Sequence, residues 1–156
     1  MQIAVDTNIL FDILLPDPDY KDSSLKLILN YSSQNLIISQ IVYAELAAHF
    51  NNPALLDSFL RDSNIQLKSI GKKGLQFAAA AWKEYNQNRD SQLECSKCGS
   101  KNTFYCSDCG SKITSRQHIM ADFIIAAHAV ENADLLLSRD RGFYRNHFKE
   151  LEIKSS

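Results

Sequence analysis

The 156-residue sequence has no excess of positive charge, no long hydrophobic run, no glycine-rich loop and no cysteine outside one short window. Each absence excludes a class of function. Lys and Arg number 17 against 18 Asp and Glu, a net charge of −1. Nucleic-acid binding would therefore rest on a local patch or a bound metal, not on a global cationic field. The opening MQIAVDTNIL carries no basic segment, and its apolar run stops at Asp6. It is expected to be neither a signal peptide nor an anchor. The longest apolar stretch elsewhere, FIIAAHAV at 123–130, falls well short of the roughly 20 residues that span a bilayer. A cytoplasmic protein with reduced thiols is the expectation. No catalytic-cysteine signature, serine–histidine motif or phosphate loop is present. His49, His118, His128 and His147 share no metal-ligand spacing, and His128 in AAHAV reads as a core or boundary residue. The apolar fraction of 45% is ordinary for a folded domain, and the length suits one domain with a small insert.

What is present alternates strand and helix. IAV at 3–5, LIIS at 36–39, IQLKSI at 65–70, LLLS at 135–138 and LEIK at 151–154 read as short strands. Between them lie helical stretches at about 8–15 (closed by Pro16 and Pro18), 22–31, 40–50, 53–61, 74–88, 119–132 and 141–148. Ser39 and Asn52-Pro53 are helix starts. Five strands separated by helices predict an α/β fold with a mostly parallel sheet and helices on both faces. The ligand end of such a sheet lies beyond the carboxyl ends of its central strands.

Four acids fall where that end needs them. Asp6 follows the first strand within Asp6-Thr7-Asn8, Glu45 lies in YAELAAHF, Asp122 in IMADFIIAAHA, and Asp140 just past LLLS. Each has a plain structural reading: a helix cap for Asp6 and Asp140, an exposed helix position for Glu45, a favourable first-turn charge for Asp122. As a set they point elsewhere. Converging carboxylates repel, and at least one takes up a proton unless a counter-charge is supplied. A hard cation such as Mg²⁺ or Mn²⁺ prefers carboxylate and water oxygens, and it activates water against a phosphodiester. Arg139, Arg141, Arg145 and Lys149 surround Asp140. They read either as a solvated helix face or as contacts for an RNA backbone. An aspartyl-phosphate mechanism is disfavoured, because Asn8 stands where the second aspartate would be.

Between the second and third acids lies a near-perfect repeat, CSKCGSK at 95–101 and CSDCGSK at 106–112. Cys95, Cys98, Cys106 and Cys109 have the spacing of two zinc knuckles, and Gly99 and Gly110 supply the positive φ such turns need. The segment 92–115 is too short for its own core, so structural zinc would supply its folding energy. Its charge is unremarkable. Lys97, Lys101, Lys112 and Arg116 stand against Glu94 and Asp108, and a zinc with four thiolates cancels the surplus. Phe104 and Tyr105 can stack on bases or pack the ribbon onto the core.

The pieces VDTN, YAEL, ADFIIAAHA and LLSRDRGF, in this order and spacing, resemble the PIN-domain ribonucleases, and among them the VapC-type toxins. The resemblance spans nearly all the chain except the cysteine segment. It implies a PIN-like α/β/α domain formed by 1–91 and 116–156, with five strands in a mostly parallel sheet and the ribbon at 92–115 inserted. It also implies Mg²⁺- or Mn²⁺-dependent endoribonuclease activity. Asp6, Glu45, Asp122 and Asp140 would be the acidic set, with Asp6, Asp122 and Asp140 on the metal and Thr7 or Asn8 orienting a carboxylate or a water. The implied partners are an RNA substrate, a protein antitoxin and a second copy of the chain. Family members with zinc ribbons also process RNA outside toxin–antitoxin systems. A catalytically silent zinc-ribbon nucleic-acid-binding protein is the reading from a different class.

Overall fold

In the computed structural model, residues 1–15, 17–88, 92–113 and 118–155 are described. Pro16, Arg116 and the expected module boundaries near 91 and 115–116 fall outside them. The elements run β1 (Gln2–Val5), α1 (Thr7–Leu14), α2 (Lys21–Asn30), β2 (Asn35–Ile38), α3 (Gln40–Ala47), α4 (Pro53–Asp62), β3 (Ile65–Leu67), α5 (Lys72–Asn88), β4 (Leu93–Glu94), β5 (Lys101–Asn102), α6 (Met120–Asn132), β6 (Leu135–Leu137), α7 (Arg141–His147) and β7 (Ile153–Lys154).

Five strands form one sheet in the order β3-β2-β1-β6-β7, and every neighbouring pair is parallel. Alternating side chains sort the core into two layers. Ile3, Val5, Leu36, Ile38, Leu135 and Leu137 face one way, onto Ile9 and Leu10 of α1, Leu27 and Ile28 of α2, Val42 and Leu46 of α3, and Leu56 and Leu60 of α4. Ala4, Ile37 and Leu136 face the other way, onto Ala78 and Tyr85 of α5, Phe123 and Ala126 of α6, and Phe143 and Tyr144 of α7. Strands covered on both sides must be apolar throughout, which is why IAV, LII and LLL carry no alternation. Burying each such Ile, Leu or Phe contributes roughly 1.5–3 kcal/mol.

The helix starts are set locally. Ser39 Oγ accepts from the Val42 amide at 3.2 Å, and Asn52 Oδ1 accepts from Ala54 at 2.9 Å, with Pro53 at the first helical position. The strand expected over 65–70 stops at Leu67. Its partner β2 ends at Ile38, so after the Lys68 amide bonds the Ile38 carbonyl the chain has nothing left to pair with. The closing strand expected over 151–154 pairs with β6 only at Ile153–Lys154. Among the described residues no helix is long and apolar enough to cross a membrane.

The cysteine segment forms a separate antiparallel ribbon of β4 and β5. Its two turns repeat one pattern. The Cys95 amide bonds the Ser100 carbonyl and the Gly99 amide the Cys95 carbonyl; Cys106, Ser111 and Gly110 do the same. Gly99 and Gly110 adopt φ of 75° and 71°. The first turn is seated on α7. The Gly142 amide donates to the Ser96 carbonyl at 2.8 Å, and Asn146 Nδ2 donates to Glu94 Oε1 at 2.6 Å and to the Gly99 carbonyl at 3.1 Å. Phe104 and Tyr105 are 49% and 65% exposed, so they do not pack the ribbon onto the core.

Candidate active site

From β1 the chain winds outward through β2 and β3, then returns to β6 on the other side of β1 and continues to β7. The strand order therefore reverses between β1 and β6, and a crevice opens beyond their carboxyl ends. Asp6 lies there. Its amide extends the ladder to the Leu137 carbonyl at 3.0 Å, and its side chain caps α1. Oδ1 accepts from the Thr7 amide at 2.7 Å. Oδ2 accepts from the Ser138 hydroxyl at 2.6 Å, the Asn8 amide at 2.8 Å and the Tyr144 hydroxyl at 3.0 Å. Burial raises the Asp6 carboxyl's pKa, and these four hydrogen bonds offset only part of that. Burial and the adjacent Asp6 charge push the Tyr144 phenol far up, so it stays a donor.

The other acids reach the same crevice. Asp140 caps α7, with Oδ1 accepting from the Phe143 amide at 3.1 Å, and its own amide donates to Ser138 Oγ at 3.1 Å. Asp122 stands in the first turn of α6, where Oδ2 accepts from the Ile119 amide at 2.8 Å. Glu45, half-buried on α3, accepts the Thr7 hydroxyl. Burial, together with the charges of Asp6, Asp140 and Glu45, raises Asp122 to about 6. Burial, with the charges of Asp6 and Glu94, raises Asp140 to about 6. The site thus carries unbalanced negative charge that mutual protonation relieves when no cation is present.

Hard oxygen donors in this arrangement suit Mg²⁺ or Mn²⁺. Asp122 and Asp140 each spend one oxygen on a backbone amide and keep the other free of hydrogen bonds to the described residues. Among the described residues, no three His, Cys, Asp or Glu side chains close tightly enough to enclose an ion unaided. The four thiols likewise stay as two pairs. Cys98 faces Cys95 and Cys109 faces Cys106, and the Ser100 and Ser111 hydroxyls lower the pKa of Cys98 and Cys109. The ribbon's donor set and turn geometry fit zinc, but the two pairs are not gathered into one four-sulfur group.

Ser138, Tyr144 and His118 carried no chemical role in the sequence, whereas Asn8 was expected to orient a carboxylate or a water. Ser138 and Tyr144 both hold Asp6, and Asn8 ties the two loops together: its Nδ2 donates to Ser138 Oγ at 3.1 Å and its Oδ1 accepts from the Arg139 amide at 3.1 Å. Ser138 stands after β6 as Asp6 stands after β1, and Tyr144 follows Asp140 by one helical turn; both spacings are readable in retrospect. His118, which has no ligand spacing, places Nδ1 3.9 Å from Asp122 Oδ2. Of the basic residues read as RNA contacts, Arg139 pairs with buried Asp12 at 2.9 Å and lies over the Tyr20 ring at 4.2 Å. Arg141 is half-buried and Arg145 exposed.

The fold is similar to that of a chain in the crystal structure of VapBC2 from Rickettsia felis bound to a DNA fragment from their promoter. The TM-score is 0.60 over 99% of this chain and 98% of that one, at 19% identity. No curated protein matches the chain at the level of sequence. The sequence profile of the PIN domain matches residues 3–96, which include Asp6 and Glu45 and end as the cysteine segment begins. With more than half its length matched, and with its parallel sheet opening on an acidic crevice, the chain belongs to the PIN domain family.

Proposed function

We propose that this protein is a divalent-metal-dependent endoribonuclease and the toxin of a toxin–antitoxin pair. One observation carries the reading: Asp6, Glu45, Asp122 and Asp140, from four different elements, converge at the sheet's switch point, where their charges act on one another. A fold tolerates such a cluster when its chemistry needs it. Asp6, Asp122 and Asp140 would hold Mg²⁺ or Mn²⁺, with Glu45 beside them. The cation, when bound, lowers the pKa of water and neutralises charge on the phosphodiester. The chain's own residues do the positioning. Ser138, Asn8 and Tyr144 fix the Asp6 carboxylate, Thr7 fixes Glu45, and the amides of Ile119 and Phe143 fix Asp122 and Asp140. Arg141 and Arg145 would hold the RNA backbone, and Arg139 contributes less because Asp12 occupies it.

Cys95, Cys98, Cys106 and Cys109 would bind one structural zinc, which closes the ribbon at 92–115 as a module inserted between 1–91 and 116–156. The family membership and the likeness to a VapBC2 chain support the toxin reading, and with it a protein antitoxin; a homodimer is part of the same proposal. The test is Mn²⁺-dependent cleavage of RNA by the wild type, Asp6→Asn and Asp122→Asn. Cleavage by the wild type alone is expected. Equal cleavage by all three removes the acids from the chemistry.

A further inference from the structure

A cavity of about 250 Å³ lies beside the acidic crevice, where the ribbon meets the core. Tyr85 and Asn88 reach it from α5, Glu94 from β4, His118 from the segment before α6, and Asn146 and His147 from α7. The core supplies three of these walls and the ribbon the fourth. We propose that this cavity is a nucleobase pocket, which takes one unstacked base of single-stranded RNA next to the scissile phosphodiester. The proposal rests on the nuclease reading above and adds the means by which the enzyme selects sequence.

Three features support a base as the occupant. The first is ring surface. The Tyr85 and His118 centroids lie 5.8 Å apart, Tyr85 and His147 5.3 Å, and His118 is stacked on Phe143 at 4.2 Å, so one wall is a fixed aromatic cluster. Single-stranded RNA is recognised by stacking extruded bases on such rings and hydrogen-bonding their edges. The second is an unspent polar atom. His118 is only 6% exposed, yet its Nε2 has no hydrogen-bond partner among the described residues. The side-chain amide of Asn88 lines the same space and offers donors together with an acceptor, as the edge of a base requires; the Asn146 amide hydrogens are held by Glu94 and Gly99. The third is size. The volume lies just below the roughly 300–1,000 Å³ of pockets for drug-sized ligands, so it admits a small occupant such as one base.

Position joins the cavity to the chemistry. His118 contacts Asp122 on one side and lines the cavity on the other. Helix α7 carries Asp140 at its start and His147 at its end, a rise of about 10 Å. A strand whose phosphate sits at the acids can therefore place an adjacent base in the cavity. The ribbon then has a purpose, since without it the pocket lacks a wall.

The test has two arms. In the first, zinc-replete Asp6→Asn protein without added Mg²⁺ or Mn²⁺ is titrated with the four nucleoside 5′-monophosphates, ribose 5-phosphate and arginine. The imidazole resonances of His118 and His147 are followed, with exposed His49 as control. The expected result is a shift of His118 and His147, but not His49, with some bases and with neither ribose phosphate nor arginine. No shift with any nucleotide, or an equal shift with ribose phosphate or arginine, overturns the proposal. In the second, wild type and Asn88→Ala cleave a random single-stranded RNA pool with Mn²⁺. Asn88→Ala should lose roughly tenfold of the base preference at one position beside the cut, with a smaller change in total cleavage. An unchanged preference overturns the pocket. Nucleotide shifts without any RNA cleavage by the wild type would uphold the pocket and reject the nuclease reading; cleavage without shifts would do the reverse.

Discussion

Ser138 and Asp6, 132 residues apart in sequence, are joined by a 2.6 Å hydrogen bond across the crevice between β1 and β6. The same hydroxyl oxygen accepts from the Asp140 amide, so one small side chain sets two of the acids against each other. Ser138→Ala should leave the fold intact and lower Mn²⁺-dependent cleavage on the order of 10- to 100-fold, the usual effect of removing a group that orients a metal ligand. Steady-state cleavage rates with circular dichroism as the folding control decide this. Wild-type rates from the variant would mean that Asp6 does not need the bond.

The raised carboxyls give a pH dependence with a defined sign. Asp122 and Asp140 titrate near 6 in the folded chain against an ordinary 3.8. The stability gained by keeping them protonated is fully present below about pH 3.8 and lost as pH rises through 6. A bound cation offsets that loss only where the carboxyls are ionised. Mn²⁺ should therefore raise the melting temperature by several degrees at pH 7.5 and hardly at pH 5. Metal-free Asp122→Asn should melt above the metal-free wild type at pH 7.5 and respond less to Mn²⁺. Equal Mn²⁺ shifts at both pH values would contradict the account.

Asp12 is buried at 2% exposure and accepts from the Ser24 hydroxyl at 2.6 Å and from Arg139 at 2.9 Å. It ties α1 and α2 to the loop that carries Asp140. Asp12→Ala strands both partners and should cost roughly 2 kcal/mol, measured by urea denaturation. It should also free Arg139. A stability unchanged within error would show that the pair is structurally idle.

A Cβ at Gly142 would lie 2.2 Å from the Cys95 carbonyl oxygen and 2.7 Å from the Gly99 amide nitrogen. Both are backbone atoms and cannot swing aside, so Gly142→Ala should lift the first knuckle from α7 and cost roughly 1–3 kcal/mol. Proteolysis between residues 92 and 113 should then accelerate. Native mass spectrometry should find about one zinc per chain in the wild type and none in Cys106→Ser. A zinc-free wild type would remove the metal from the ribbon.

Much of the frame can be read from the chain because the physics is local. IAV, LII and LLL are uniformly apolar since both sheet faces are covered, and an acid directly after such a run has few places to go. Gly99 and Gly110 announced their turns. Other features depend on distant partners. The length of β3 is set by where β2 ends. Tyr144 looks like any helix aromatic until α7 packs beside β1. Gly142 reads as a helix-start glycine, and only the docked knuckle explains why nothing larger fits. The cavity joins α5, β4, the segment before α6 and α7, none of which signals the others in sequence.

Asp6, Asp122 and Asp140 each hold a main-chain amide at the beginning of a helix while facing the crevice. Asparagine performs the first task as well as aspartate. At Asp122 and Asp140 a single-nucleotide codon change would therefore remove the charge and keep the helix start, so selection for a stable chain alone does not maintain the acidic crevice.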